Sequence, residues 1–182
     1  KLPIATLDTI VYNTNKGVSN KHIINSSIGV ISDSYDLWKE ILSTRAMRRA
    51  LNSNKCKRIL VVAGGLGTEI DVLVELYGID ILDKIVYNEK YSHFCNIIKE
   101  KYPQITILQN DFLKLEIDMK FDVVIGNPPY QDPIKPRHKL WTKFLKKSLE
   151  VGDYVGMVLP KLSTQMLNGQ EVDHTSLDAK PY

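Results

Sequence analysis

The sequence predicts an α/β fold, a mostly parallel sheet with helices on both faces. Three observations carry this. From residue 57 onwards, short aliphatic runs alternate with amphipathic helical stretches, the pattern of strand–helix–strand units. The first run, Ile59-Leu60-Val61-Val62, is apolar throughout, as a strand buried on both faces should be. Glycines and polar residues follow the runs, and such sheets bind ligands beyond the carboxyl ends of their strands.

Each element has a local reason. Residues 1–30 are broken by Asn13, Asn15, Asn20 and Asn25 and carry no strong pattern. Ser32-Asp33-Ser34 reads as a helix N-cap, and Leu37, Ile41, Leu42, Met47 and Leu51 then recur at helical spacing. This is one amphipathic helix or two short ones, ended by Asn52-Ser53-Asn54. After the strand at 59–62 come a helix over Thr68–Tyr77, a strand at Ile85–Tyr87 and a helix over Tyr91–Tyr102. Strands at Ile105–Leu108 and Phe121–Ile125, a helix over His138–Val151 and a strand at Tyr154–Leu159 complete the series. The segment from Lys161 to Tyr182 is polar with little periodicity. The expected division is therefore an N-terminal helical segment (1–55), a core (56–160) and a polar tail (161–182).

Composition agrees with one soluble domain: 182 residues, 43% hydrophobic and 25% charged. No apolar run approaches the roughly 18 residues of a membrane span. Lys1-Leu2-Pro3-Ile4 lacks the apolar core of a signal peptide. The net charge of +3 is too mild to argue nucleic-acid binding without local clustering. Cys56 and Cys95 are too few for a disulfide framework or a four-ligand metal site. They read as reduced structural residues, which implies an intracellular, cytoplasmic setting. His22, His93, His138 and His174 are scattered, and no metal site is expected.

The strand ends carry the chemistry. After the first strand comes Ala63-Gly64-Gly65-Leu66-Gly67-Thr68-Glu69; glycines allow a sharp turn and close approach to a ligand, and the following helix N-terminus offers free N–H groups. The dinucleotide fingerprint would need glycine at position 70, which is Ile70, so a plain strand-to-helix turn is the competing reading. After the second strand come Asn88 and Glu89, 22 residues beyond Gly67. Glu89 either accepts hydrogen bonds from ribose hydroxyls or opens the next helix as a solvated acid. After the third strand, Asp111 can accept from an adenine amino group while Phe112 packs on its ring; otherwise these are an Asx turn and a core aromatic. After the fourth strand stands Asn127-Pro128-Pro129-Tyr130, the most specific signal in the chain. Two prolines stiffen the segment and remove two donors, leaving the Asn127 amide oxygen and neighbouring carbonyls as a fixed acceptor array beside an aromatic face. That array suits a planar substrate bearing an NH₂ group.

With these residues in place, the chain resembles the amino-directed S-adenosylmethionine-dependent methyltransferases, especially DNA adenine-N6 methyltransferases. Asn127-Pro128-Pro129-Tyr130 matches their (Asp/Asn/Ser)-Pro-Pro-(Tyr/Phe) motif in full, and the resemblance runs over roughly residues 28–160. Fifteen residues separate Asp111 from Asn127, leaving no room for a recognition insert. This order resembles the γ-type and the methyltransferase parts of type I and fused restriction-modification enzymes. The resemblance implies a Rossmann-like class I methyltransferase fold with S-adenosylmethionine as cofactor. It implies that Gly65 and Gly67 line the methionine part, Glu89 holds the ribose, and Asp111 and Phe112 contact the adenine. Asn127 and the Pro128 carbonyl would accept from the target amine, with Pro129 stiffening the loop and Tyr130 stacking on a flipped adenine of DNA. Ile28–Ser32 loosely matches an N-terminal cofactor-contacting segment. A separate specificity subunit or a C-terminal recognition domain is the implied partner.

The chain departs from the family pattern at Ala63, where an acidic residue is usual; Glu69 or Asp71 are the candidates to replace it. The family's sixth and seventh strands are not found after Leu159, so the sheet is expected to be incomplete at its C-terminal end. Among the basic residues after the loop, Lys135 and Arg137 are the candidates for phosphate contact; Lys143, Lys146 and Lys147 fit equally a solvated helix face. Arg45, Arg48 and Arg49 form a second basic cluster. A protein glutamine or RNA adenine methyltransferase would use the same acceptor array. An inactive subunit that only binds S-adenosylmethionine is a reading of a different class.

Overall fold

The structure, a computed structural model, describes residues 35–132, 134 and 139–159. The N-cap at 32–34, the 28–32 segment, Lys135, Arg137 and the 161–182 tail lie outside the described residues.

Two short helices come first, α1 (Tyr35–Leu42) and α2 (Arg45–Leu51). The break falls at Ser43-Thr44, where Thr44 adopts φ −59°, ψ 150° and its hydroxyl accepts from Met47 N at 3.4 Å. A hydroxyl residue that caps a new helix cannot also continue the old one. Leu37, Trp38, Ile41 and Leu42 of α1 and Met47, Ala50 and Leu51 of α2 are buried in the same core as the sheet.

The sheet follows as β1 (Ile59–Val62), β2 (Ile85–Glu89), β3 (Thr106–Gln109), β4 (Phe121–Gly126) and β5 (Gly152–Met157). Its order is β3-β2-β1-β4-β5, and every pairing is parallel. The central strand β1 is wholly β-branched and aliphatic with all four residues buried, and its neighbour β4 carries the buried run Val123-Val124-Ile125. The register opens with a side-chain clasp: Asp122 Oδ2 accepts from Lys57 N at 2.7 Å and Arg58 N at 2.8 Å.

The connecting helices are α3 (Thr68–Tyr77), α4 (Ser92–Lys101) and α5 (Leu140–Val151), with a 3-10 helix over Ile79–Lys84. Helix α3 packs on α1 and is tied to α4 by Lys101 Nζ, which donates to Asp71 Oδ1 at 2.6 Å and Oδ2 at 2.7 Å. Helix α5 packs on β4 and β5. Cys56 and Cys95 are free and buried. Among the described residues no helix is long and apolar enough to cross a membrane.

One consequence of the strand order positions the site. The chain moves outward from β1 to β2 and β3, then returns to the other side of β1 with β4 and β5. The reversal falls between β1 and β4, and the ends of strands at such a switch point are where open α/β sheets bind ligands. Val62 pairs with Gly126 and with Asn88, so the segments after β1, β2 and β4 leave the sheet at one level.

Candidate functional site

The loop after β1 is coiled by three residues with positive φ: Ala63 (52°), Gly65 (49°) and Gly67 (74°). Gly67 N donates to Gly64 O at 2.8 Å, closing a turn, and Gly67 O then accepts from Ile70 N and Asp71 N to start α3. At Gly67 a side chain meets two obstacles, the left-handed backbone and Ile98 Cδ1 at 2.5 Å from a built Cβ. The glycine therefore lets α3 and α4 approach closely beneath the loop.

Glu89, at the end of β2, is 6% exposed and organises this junction. Its Oε2 accepts from Gly65 N at 3.1 Å; its Oε1 accepts from Lys90 N at 2.7 Å and Tyr91 N at 3.0 Å. A carboxylate offers about four acceptor sites, so three are engaged by backbone donors. Beneath it, the Tyr87 hydroxyl donates to Gly65 O at 2.6 Å. Burial pushes the Tyr87 phenol far above its ordinary range, and Glu89 and Glu69 push it further, so it stays a donor. The glycine loop is thus fixed to β2 at both the N–H and the C=O of Gly65.

Of the two acids considered in place of the residue at 63, Asp71 is engaged by Lys101 and by the Tyr102 hydroxyl on the α3–α4 seam. Glu69 lies in the first turn of α3, immediately after the loop, and is 2% exposed.

After β3 two side-chain oxygens fold the chain back, the second in an Asx turn. Asn110 Oδ1 accepts from Asp111 N at 2.8 Å, and Asp111 Oδ1 accepts from Leu113 N at 3.1 Å. The Asp111 side chain remains 27% exposed, with Lys90 Nζ 3.9 Å from Oδ2. Phe112 is 2% exposed; its ring centroid lies 5.4 Å from that of Phe144 on α5. Of the pair, Asp111 keeps the open side chain, while the Phe112 ring belongs to the core.

Asn88 supports the site in a way the sequence did not reveal. It is 1% exposed, and its Nδ2 donates to Leu108 O and Asn110 O, both at 3.0 Å. It thereby ties the β3 turn to the end of β2. The only sequence signal for this is an amide at the end of the otherwise aliphatic and aromatic run Ile85-Val86-Tyr87.

Asn127-Pro128-Pro129-Tyr130 leaves β4 beside the glycine loop and is anchored at both ends. Val158 N donates to Gly126 O at 3.1 Å before it, and Leu140 N donates to Tyr130 O at 3.1 Å after it. An isolated antiparallel bridge joins Gln131 to Lys139. The Asn127 Oδ1 and Tyr130 hydroxyl oxygens are shielded from solvent. The structure thus joins Gly65 to Glu89 by a direct hydrogen bond, holds Gly67 in the same loop through Gly64 O, and sets Asn127–Tyr130 beside them through the register. Asp111 joins through Asn88 and Lys90. Lys143 is exposed, whereas Lys147 is half-buried and bound to backbone carbonyls, so neither phosphate contact nor a solvated face describes it.

Comparison with known proteins agrees with this architecture. The type IIG restriction endonuclease BpuSI matches with a TM-score of 0.60 at 20% identity, over 79% of this chain and 21% of that one. CalS10, an amino pentose methyltransferase from Micromonospora echinaspora solved with S-adenosylmethionine bound, matches with a TM-score of 0.52 at 14% identity, over 82% of this chain and 59% of that one. An S-adenosylmethionine-dependent methyltransferase from Clostridium acetobutylicum gives 0.51 at 16% identity, over 82% and 59%. The chain therefore spans less than two thirds of each of these proteins, and at such identities the likeness is one of fold: that of the Rossmann-like methyltransferases. No curated protein matches the chain. A family model described as Eco57I restriction-modification methylase matches residues 72–176, which takes in β2 to β5, Glu89, Asp111 and the whole of Asn127–Tyr130. With more than half of its 182 residues matched, the chain belongs to the Eco57I restriction-modification methylase family.

Proposed function

We propose that the chain binds S-adenosylmethionine and directs methyl transfer to the exocyclic N6 amine of an adenine flipped out of DNA, as the methyltransferase part of a restriction-modification enzyme. One observation carries the reading. The acceptor loop Asn127–Tyr130 and the glycine loop leave adjacent strands at the same level, joined through the Val62–Gly126 pairing, at the point where the strand order reverses.

The residues present fit the cofactor. A Cβ built at Gly65 meets no atom within 4 Å, so the loop opens onto free space where the backbone can approach a ligand. Gly65 and Gly67 would line the methionine part, with Glu69 replacing the acid missing at Ala63. Glu89 would meet the ribose and Asp111 the adenine, while the Phe112 ring, expected from the sequence to contact the adenine, packs on Phe144 in the core. Bound S-adenosylmethionine supplies an electrophilic methyl group.

The chain's own work is done on the target amine. The lone pair of an exocyclic adenine amine is delocalised into the ring, which makes it a poor nucleophile. Asn127 Oδ1 and the Pro128 carbonyl accept its two N–H groups and favour a pyramidal nitrogen whose lone pair is free to attack. This combines positioning with stabilisation of developing positive charge. The Tyr130 ring offers a stacking surface that offsets part of the cost of unstacking the base. Lys135 and Arg137 would meet phosphates, and a specificity subunit or recognition domain would read the sequence. In this reading residues 56–160 are the catalytic core, 1–55 an N-terminal helical segment and 161–182 a polar tail, in a cytoplasmic protein.

The deciding experiment is transfer of a radiolabelled methyl group to DNA, RNA and protein in parallel. Label on N6 of adenine in DNA is the expected result. Label on RNA or on glutamine side chains alone would replace the substrate, and binding of S-adenosylmethionine without transfer would make the chain a cofactor-binding subunit.

Glu89→Ala is expected to weaken S-adenosylmethionine binding by about 1.5–3 kcal/mol, roughly tenfold to a hundredfold, the range for hydrogen bonds to a charged group. Isothermal calorimetry on the variant, after circular dichroism has shown it folded, gives the answer. An unchanged dissociation constant would leave Glu89 only its structural contacts to Gly65, Lys90 and Tyr91.

A further inference from the structure

Lys147 sits one turn beyond Phe144 on α5, on the same face. Its Nζ donates to Phe112 O at 2.6 Å and to Leu115 O, and lies 5.0 Å over the Phe112 ring. Both carbonyls belong to the turn after β3. In that turn Lys114 N and Leu115 N return to Asp111 O at 2.9 and 3.0 Å, and Leu113 N returns to the Asp111 carboxylate. The segment is a single helix-like turn, and Lys147 supplies donors to carbonyls at its carboxyl end, where a cation is favoured. Desolvation lowers the pKa of the ammonium, with Asp111 and Glu150 acting in the opposite direction. A cation taken partly out of water is held where its donors are engaged, so this side chain is a fixed part of the turn.

The other end of the turn is held by Asn88, through Leu108 O and Asn110 O. Asp111 therefore lies between two clamps, one from β2 and one from α5. Its own carboxylate accepts from Leu113 N at 3.1 Å and has the Lys90 ammonium 3.9 Å away. The direction in which it presents its oxygens is set by the backbone of the turn.

We propose that Lys147 is a positioning residue for Asp111, and that it thereby sets the preference of the site for a 6-aminopurine. The inference rests on the adenine-contacting role given to Asp111 above. A carboxylate held at the 6-position accepts from an amino group and repels a 6-oxo group, which presents acceptor to acceptor. A carboxylate free to turn away loses both effects.

The test is calorimetry with S-adenosylhomocysteine and its hypoxanthine counterpart, S-inosylhomocysteine, on the full chain and on Lys147→Met. The wild type is expected to prefer the adenine ligand by about tenfold or more, as a charged hydrogen bond allows. The variant is expected to lose most of that preference, chiefly through weaker binding of the adenine ligand. If Lys147→Met does not fold, Lys147→Gln, whose single amide donor group is shorter and uncharged, is read in the same way. A folded variant that is less stable but keeps the wild-type ratio would make Lys147 a brace only and overturn the proposal. A wild type that binds neither ligand would remove the cofactor reading, and this inference with it. A wild type that binds both equally would remove the role of Asp111 and, with it, that of Lys147.

Discussion

Asn127→Ala is expected to lower the rate of methyl transfer by about a hundredfold or more, the scale on which a transition-state hydrogen-bonding group acts, while leaving cofactor affinity unchanged. The expectation follows from where Asn127 stands. It is the first residue beyond β4, on a loop anchored by Val158 N to Gly126 O and by Leu140 N to Tyr130 O. Truncating the side chain therefore leaves the loop's ends in place and removes one acceptor of the pair proposed to hold the amine pyramidal. The Pro128 carbonyl remains, but one acceptor does not fix the orientation of an NH₂ group. Asn127→Asp keeps a side-chain acceptor, and the family motif accepts Asp at this position, so this variant is expected to retain measurable transfer. Single-turnover transfer of labelled methyl groups, with calorimetry on the same preparations, separates the two effects. A loss of cofactor affinity equal to the loss of rate would move Asn127 into the cofactor site.

The sheet was legible because its strands are apolar runs bounded by polar or glycine residues, and that pattern survives without tertiary information. Its edges were less legible. The last strand was expected over Tyr154–Leu159 and runs over Gly152–Met157, because its start is set by pairing of Gly152 with Phe121, not by β-propensity. The choice between one N-terminal helix and two turned on Thr44, whose capping role is decided by local geometry. The 3-10 helix at Ile79–Lys84 has too short a span for a periodic signal. The order of the candidate site was readable for a topological reason: in a parallel sheet every strand ends at the same edge, so residues after successive strands become neighbours. The supporting residues were not readable. Asn88 donates to carbonyls 20 and 22 positions away, and Lys147 to carbonyls 35 and 32 positions away. A lysine on an amphipathic helix looks the same in sequence whether it faces solvent or a buried carbonyl.

Gly126→Ala is expected to destabilise the protein by on the order of 3 kcal/mol, the upper part of the usual range for overpacking an interior. For a chain of this size that corresponds to a fall of roughly 6–12 °C in Tm. The cause is the closeness of β1. A Cβ at position 126 would lie 2.3 Å from the Val62 carbonyl oxygen and 3.2 Å from Val62 Cβ. A side-chain tip can rotate out of such a contact, but a backbone carbonyl can move only if the strand moves. Gly126 is also held on its other side, where its carbonyl accepts from Val158 N at 3.1 Å. The methyl group must therefore spread β1 from β4 where the glycine loop and the Asn127 loop diverge, so cofactor binding and transfer should fall together with stability. Gly65→Ala is the informative contrast. Its φ of 49° carries strain of about 1–2 kcal/mol for an L-residue, but its Cβ meets no atom within 4 Å. It should accordingly cost less stability than Gly126→Ala. Urea unfolding of both variants, followed by fluorescence and circular dichroism, gives the ranking. A denaturation midpoint for Gly126→Ala at or above that of Gly65→Ala would show that the β1–β4 junction yields easily, and would remove the rigid alignment of the two loops on which the catalytic assignment of Asn127 depends.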